Sequence, residues 1–182
     1  MPKENINLQL IIDGCRQNDR NCQRILFEQY MGYAMKICMR YASSREEAEE
    51  ILNNSFLKIF THIGTYKKEF PFRNWMSRVI TNTAIDYLRA NQKKLRFLEL
   101  DFATNVEAES YLDIEPGDEM LLILQKLPPT YRLVFNLAIM EGYRHEEIGA
   151  ILGISAATSR SNLCRAKDRL RKLMLENRKM SL

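Results

Sequence analysis

From Glu146 to Met174 the chain reads EEIGAILGISAATSRSNLCRAKDRLRKLM. A short helix, His145 to Leu152, is predicted to end at Gly153, a residue suited to the left-handed conformation that follows a helix. Ser155 can then cap the next helix with its hydroxyl. This is the spacing of a helix-turn-helix, whose second helix enters the DNA major groove by its N-terminal part. Along that second helix Leu163, Ala166, Leu170 and Leu173 recur at i, i+3, i+7 and i+10 and are expected to pack inward. Ser161, Cys164, Arg165, Asp168 and Lys172 then face outward, with Arg160 on the flank. Arginine can grip guanine with two parallel hydrogen bonds, and serine can serve bases or phosphates. An ordinary helical hairpin with a basic surface is the plainer reading of the same residues.

Working outward, the periodicity stays helical and strand-like alternation is nearly absent. Helices are predicted at about 7–17, 20–42, 44–62 and 72–92, then at about 118–127, 130–141, 145–152 and 156–176. Asp19, Ser43 or Ser44, Thr130 and Ser155 are candidate N-caps. Gly64 and the Phe70-Pro71 pair punctuate a loop. The stretch 93–117 carries Pro116-Gly117 and no apolar period, and reads as a linker. The expected fold is therefore all-α: two small helical domains, 1–92 and 118–182, joined by the acidic linker 93–117, with the helix-turn-helix in the second. A length of 182 residues allows this division.

Charge follows the same division. From Glu99 to Glu119 there are eight acidic residues and no basic one, whereas Ser155 to Leu182 holds eight basic against two acidic, and Pro71 to Arg96 six against one. Two basic blocks around an acidic one suit two nucleic-acid-facing surfaces on either side of a linker. No run of about 18 apolar residues occurs, so no membrane span is expected. The opening MPKENINLQLIIDG lacks the apolar core and cleavage site of a signal peptide, which places the protein in the cytoplasm. Cys15, Cys22, Cys38 and Cys164 form no C-x-x-C, and His62 and His145 are far from them in sequence. They read as small packed thiols, with no metal site and no cofactor expected.

In FRNWMSRVITNTAIDYLRAN, residues 72–91, one face is made by Met76, Val79, Ile80, Thr83 and Tyr87. The opposite stripe is Arg78, Asn82, Ile85 and Arg89. An asparagine amide can read base edges and the arginines can hold phosphates; a merely solvated face would also explain the arginines. The preceding loop, Gly64 to Phe72, mixes Tyr66, Phe70 and Phe72 with Lys67 and Lys68. Aromatic platforms beside positive charge suit unstacked single-stranded bases, although at least two of Phe70, Phe72 and Trp75 are expected to close the core. In REEAEEILNNSFLKIF, residues 45–60, the outer face carries Glu47, Glu50, Asn54, Leu57 and, just beyond, Thr61. A leucine framed by acids fits a protein-binding surface, or is one stray surface leucine.

In this order, EEAEEILNNSFLKIF, FRNWMSRVITNTAIDYLR and LPPTYRLVFNLAIMEGYRHEEIGAILGISAATSRSNLCRAK resemble the extracytoplasmic-function (ECF) group of bacterial RNA polymerase sigma factors. The resemblance covers roughly residues 20–92 and 118–175. It implies a promoter-recognition subunit with no catalysis of its own, whose first domain docks on the polymerase clamp helices and opens the −10 element. The second domain reads the −35 element. It further implies that Glu47, Glu50, Asn54 and Leu57 contact polymerase. Tyr66, Lys67, Arg78, Asn82, Ile85 and Arg89 would meet −10 DNA, and Thr158, Arg160, Ser161, Cys164 and Arg165 would face the −35 groove. The acidic linker would thread a basic polymerase channel. The implied partners are core RNA polymerase, promoter DNA and an anti-sigma factor, membrane-anchored in many members, with no small-molecule substrate.

Three departures stand out. The family's acidic docking stretch ends in Gln-Glu where this chain has Asn53-Asn54, so one acidic contact is missing. The recognition helix commonly reads Thr-Val-Arg-Ser-Arg, against Thr158-Ser159-Arg160-Ser161-Asn162 here, which removes an arginine and its phosphate contact. Position 164, often aromatic or His, is Cys164. The competing reading is a conventional helix-turn-helix regulator, which gives no reason for the 78–89 stripe, the aromatic loop or the acidic linker. An enzyme is disfavoured by the lack of a Gly-rich phosphate loop, a nucleophile motif or a His-carboxylate cluster.

Overall fold

A computed structural model gives the protein's structure and describes residues 3–92 and 119–180. Among these residues every regular element is helical. The proposed linker 93–117 lies outside them. The chain divides into two units, residues 1–39 with 46–84, and residues 40–45 with 85–182.

The first unit begins with α1 (Lys3–Arg16) and α2 (Arg20–Met39). Their connection is tight because Asn18 adopts a left-handed φ of 59°, a conformation asparagine tolerates better than most residues. Asp19 then caps α2 as expected: its Oδ1 accepts from the backbone N–H of Asn21 at 2.7 Å and of Cys22 at 3.4 Å. The two helices meet at Gly14, where a Cβ would fall 2.2 Å from Cys22 Sγ. α3 (Arg45–His62) runs into a 3₁₀ turn (Ile63–Thr65), and α4 (Phe72–Ala90) follows a short loop and passes into the second unit at Ile85. Ile12, Leu26, Ala34, Ile51, Phe56, Ile59, Met76 and Ile80 are buried at helical spacing. Each of the larger apolar side chains among them contributes about 1.5–3 kcal/mol.

The second unit contains α5 (Glu119–Gln125), α6 (Pro129–Phe135), a π-helical turn (Asn136–Met140), α7 (His145–Leu152) and α8 (Ala156–Met180). Ile123, Leu124 and Leu127 pack with Ala166, Leu170 and Leu173, and Tyr131 and Phe135 close the cluster. Thr130 is not the cap expected for the second of these helices. α6 already starts at Pro129, with Pro128 at the cap position, because proline has no N–H to satisfy and its φ is preset for the first helical position. Arg132, although buried, donates from Nη1 to Gln125 Oε1 at 2.7 Å.

The turn between α7 and α8 depends on two glycines. Gly153 has φ 72°, and its N–H donates to the carbonyl of Gly149 at 2.9 Å. Gly149 carries no Cβ because one would lie 2.7 Å from the carbonyl oxygen of Ile154, a backbone atom with little room to yield.

Candidate nucleic-acid and polymerase interfaces

α8 is built to show one polar face. Ser155 Oγ accepts from the N–H of Thr158 at 2.9 Å, so the expected cap is in place. The inward row is Ser159, Asn162, Ala166, Leu170 and Leu173, all buried, with Leu163 half-buried. Ser159 Oγ pairs with Nδ1 of His145 at 2.9 Å, which ties the start of α7 to the first turn of α8. Thr158, Arg160, Ser161, Cys164, Arg165, Asp168 and Lys172 are exposed. The structure thus puts all five candidate −35 residues on the solvent side. Arg160 has a charged neighbour across the turn: its Nη1 lies 3.5 Å from Glu146 Oε1, both side chains more than half exposed. Such a pair holds weakly in water, so the guanidinium can leave it for a phosphate or base. Asn162, where the family places an arginine, is 4% exposed and faces the protein.

The loop and the first part of the α4 stripe lie in the first unit, and α4 from Ile85 onward belongs to the second. Of the stripe, Arg78, Asn82 and Arg89 are exposed, and Arg89 Nη1 lies 3.5 Å from Asp86 Oδ1. Ile85 does not belong to it. It is 1% exposed, and so are its neighbours one turn away, Thr81 at 4% and Leu88 at 2%. The buried arc widens in the second half of α4, and an isoleucine on its border falls to the covered side.

Tyr66 is a second correction. It is 8% exposed, its ring packs against Phe72 at 5.1 Å and Trp75 at 5.8 Å, and its hydroxyl donates to the carbonyl of Phe70 at 2.9 Å. A side chain so occupied is core and is not available to a DNA base. The exposed aromatic of this loop is Phe70, 62% exposed, beside exposed Lys67, Lys68 and Arg73. Arg73 rests over the ring of Tyr33 at 5.4 Å, a cation–π arrangement. Phe70 was hidden at the sequence level because loop residues have no period to separate in from out. Arg73 lay one residue past the helix start, ahead of the stripe.

On α3, Glu50, Asn54 and Leu57 are exposed, Leu57 at 66%. Glu47 is not: it is 9% exposed and lies on the side of Ile51, one turn ahead of it. In the first turn of α3 its carboxylate sits at the positive end of the helix dipole. Of the four α3 candidates, Glu50, Asn54 and Leu57 are thus the ones on the solvent side.

The thiols differ in kind. Cys15 and Cys38 are buried and Cys164 is exposed. Burial pushes Cys38 up to about 12, and burial, with Cys22 and Asp19 nearby, pushes Cys15 up to about 11. Both are packing residues.

Known proteins match both units. The family model for sigma-70 region 2 matches residues 26–94, and that for sigma-70 region 4 matches residues 117–170. An ECF RNA polymerase sigma factor SigE of Mycolicibacterium smegmatis is 29% identical over 153 residues, which cover 80% of this chain and 59% of that protein. An ECF RNA polymerase sigma-E factor of Haemophilus influenzae is 26% identical over 188 residues, covering 96% of each chain. Among solved structures, the sigma factor RpoE in complex with the anti-sigma factor NepR from Bartonella quintana is similar at a TM-score of 0.41 and 16% identity, over 96% of this chain and 98% of that one. With region 2 and region 4 both present, in order and at the expected places, the chain belongs to the sigma-70 family of RNA polymerase sigma factors, in its ECF group.

Proposed function

We propose that this protein directs core RNA polymerase to specific promoters, opening the −10 element with its first unit and reading the −35 element with α8. The observation that carries this reading is that one chain matches both sigma-70 region 2 and sigma-70 region 4. A conventional helix-turn-helix regulator needs only the second. In this account Glu50, Asn54 and Leu57 dock on the polymerase clamp helices. Phe70, Lys67, Lys68 and Asn82 take single-stranded −10 bases, and Arg78 and Arg89 hold backbone. Arg165, Ser161, Cys164, Thr158 and Arg160 meet the −35 groove. The protein lends polymerase its address and performs no bond chemistry itself.

The domains would be 1–92 and 118–182, with 93–117 as the acidic linker in the polymerase channel. An anti-sigma factor that covers these surfaces is the regulatory partner the family resemblance implies. Work on polymerase places the protein in the cytoplasm, and no helix among the described residues is long and apolar enough to cross a membrane. The test is capture of core polymerase by the tagged protein, then run-off transcription from a promoter library. Enrichment of templates sharing paired −35 and −10 elements is expected. Capture without promoter-dependent transcripts would overturn the reading.

A further inference from the structure

Helix α1 precedes residues 26–94, the part of the chain that region 2 matches, yet its last turn reaches the −10 loop. Arg16 Nη2 donates to the carbonyl of Tyr66 at 2.8 Å, fifty positions away in sequence. The same guanidinium donates from Nη1 to Asp13 Oδ1 at 3.0 Å, and Gln9 Nε2 donates to that oxygen at 2.8 Å. The Gln9 hydrogen bond, aided by the charges of Lys68 and Arg16 and opposed by partial desolvation, holds the Asp13 carboxyl below its ordinary value. Arg16 therefore has a firm anion behind it, and its side chain is 30% exposed.

Tyr66 is thus pinned twice, its ring in the aromatic cluster and its carbonyl to α1. The tip of the loop hangs from it. Tyr66 Oη closes onto the Phe70 carbonyl at 2.9 Å, and Phe70 N–H onto the Lys67 carbonyl at 3.2 Å. Lys67, Lys68, Glu69 and Phe70 point to solvent from this closed turn.

We propose that Arg16 is a positioning residue for single-stranded −10 DNA: through the Tyr66 carbonyl it fixes the loop tip that presents Phe70, Lys67 and Lys68 to unstacked bases. The inference rests on the reading of this loop as a −10 reader. Stacking on an aromatic requires the ring held at a set angle. A tip no longer tied to α1 presents Phe70 over a range of angles and lowers its discrimination between bases. Hydrogen bonds from charged donors support an equilibrium by roughly tenfold, so the effect falls within ordinary assay range.

The experiment uses the full chain with core polymerase, a promoter library randomised at −10, and permanganate reactivity to score opened templates. Arg16→Ala is expected to lower opening about tenfold and to broaden base preference at −10, with −35 preference unchanged. Arg16→Lys, which keeps the cation and an N–H donor, should recover most of the loss. Phe70→Ala should broaden the same positions. If Phe70→Ala broadens the preference and Arg16→Ala does not, the positioning role is wrong and the loop reading stands. If neither changes it, the loop reading itself fails. A uniform loss of output with unchanged preference, not recovered by lysine, marks a structural role and overturns the proposal. Should Arg16→Ala melt well below the parent, Asp13→Asn decides, since it keeps Arg16 and removes the anion behind it. Broadened preference at parental thermal stability supports the proposal, and unchanged preference overturns it.

Discussion

The two surfaces proposed to face DNA are built on different principles. The second unit's surface is one helix face: Thr158, Ser161, Cys164, Arg165 and Asp168 project from α8 because Ser159, Asn162, Ala166, Leu170 and Leu173 are turned in. Its geometry is inherited from the helix, and the helix is aimed by Gly149, Gly153 and the His145–Ser159 hydrogen bond. The first unit's surface is composite. Phe70 and Lys67 come from a loop, Arg78 and Asn82 from a helix, and the loop is held by a hydrogen bond from Arg16 on a third element. On a helix face the loss of one side chain leaves the others where the helix puts them, whereas a composite surface depends on the contacts that hold its parts together.

The largest expected effect is at the hinge of the helical surface. Gly149→Val pushes a branched side chain against the Ile154 carbonyl, where even a Cβ has no room. The second unit should lose about 3 kcal/mol and −35 recognition with it, while the first unit's melting stays unchanged. Calorimetry that resolves two transitions checks this. A shift in both transitions would mean the units do not respond independently.

Leu57→Arg separates polymerase docking from both DNA surfaces. An exposed leucine leaves the fold intact when replaced, but at an interface it loses its apolar contact and brings a charge to desolvate, on the order of 2 kcal/mol or more. Binding to core polymerase should fall accordingly with the thermal transition unmoved. Unfolding instead would show that Leu57 is part of the core.

Arg165 and Lys172 sharpen the reading of α8. Both are exposed, but Arg165 lies nearer the N-terminal part that enters the groove. Arg165→Ala should cost about 1–3 kcal/mol on the preferred promoter and relax preference at one or two −35 positions. Lys172→Ala should weaken all promoters slightly and evenly. Transcription over randomised −35 sequences tells them apart, and an unchanged sequence preference with Arg165→Ala would pass the role to Arg160 and Ser161.

The smallest effect concerns the thiols. Cys164 should alkylate in the native protein, and Cys38 and Cys15 only on unfolding. The Cys38 thiol is held neutral up to about 12 against an ordinary 9.0. Its contribution to stability is therefore complete below about pH 9 and lost as pH rises toward 12. A pH titration of unfolding that stays flat above pH 9 would contradict this.

What the sequence showed, and what it hid, divides along the same line. The helix-turn-helix was legible because period, glycine and cap agree over one continuous stretch, and each reader inherits its direction from the period. The α3 and α4 faces were legible in their middles and misjudged at their borders. Glu47 and Ile85 lie where a buried arc ends, and a 3.6-residue period cannot say how wide that arc is. The loop was legible as a loop, but not in which of its aromatics faces out. Tyr66 and Phe70 are both aromatic and both beside lysines, and only the packing against Phe72 and Trp75 decides that Tyr66 goes in and Phe70 stays out. Arg16 carried no signal, because its partner is a backbone carbonyl and leaves no mark on residue type.

The central claim is that this protein acts as a polymerase subunit, with two small DNA surfaces that reach useful affinity only when polymerase holds them together. Footprinting one promoter with the free protein and with the protein bound to core polymerase tests it directly. The account predicts no specific protection by the free protein at concentrations where the assembled enzyme protects −35 and opens −10. Tight, specific protection by the free protein, unchanged by polymerase, would contradict it and identify a conventional regulator.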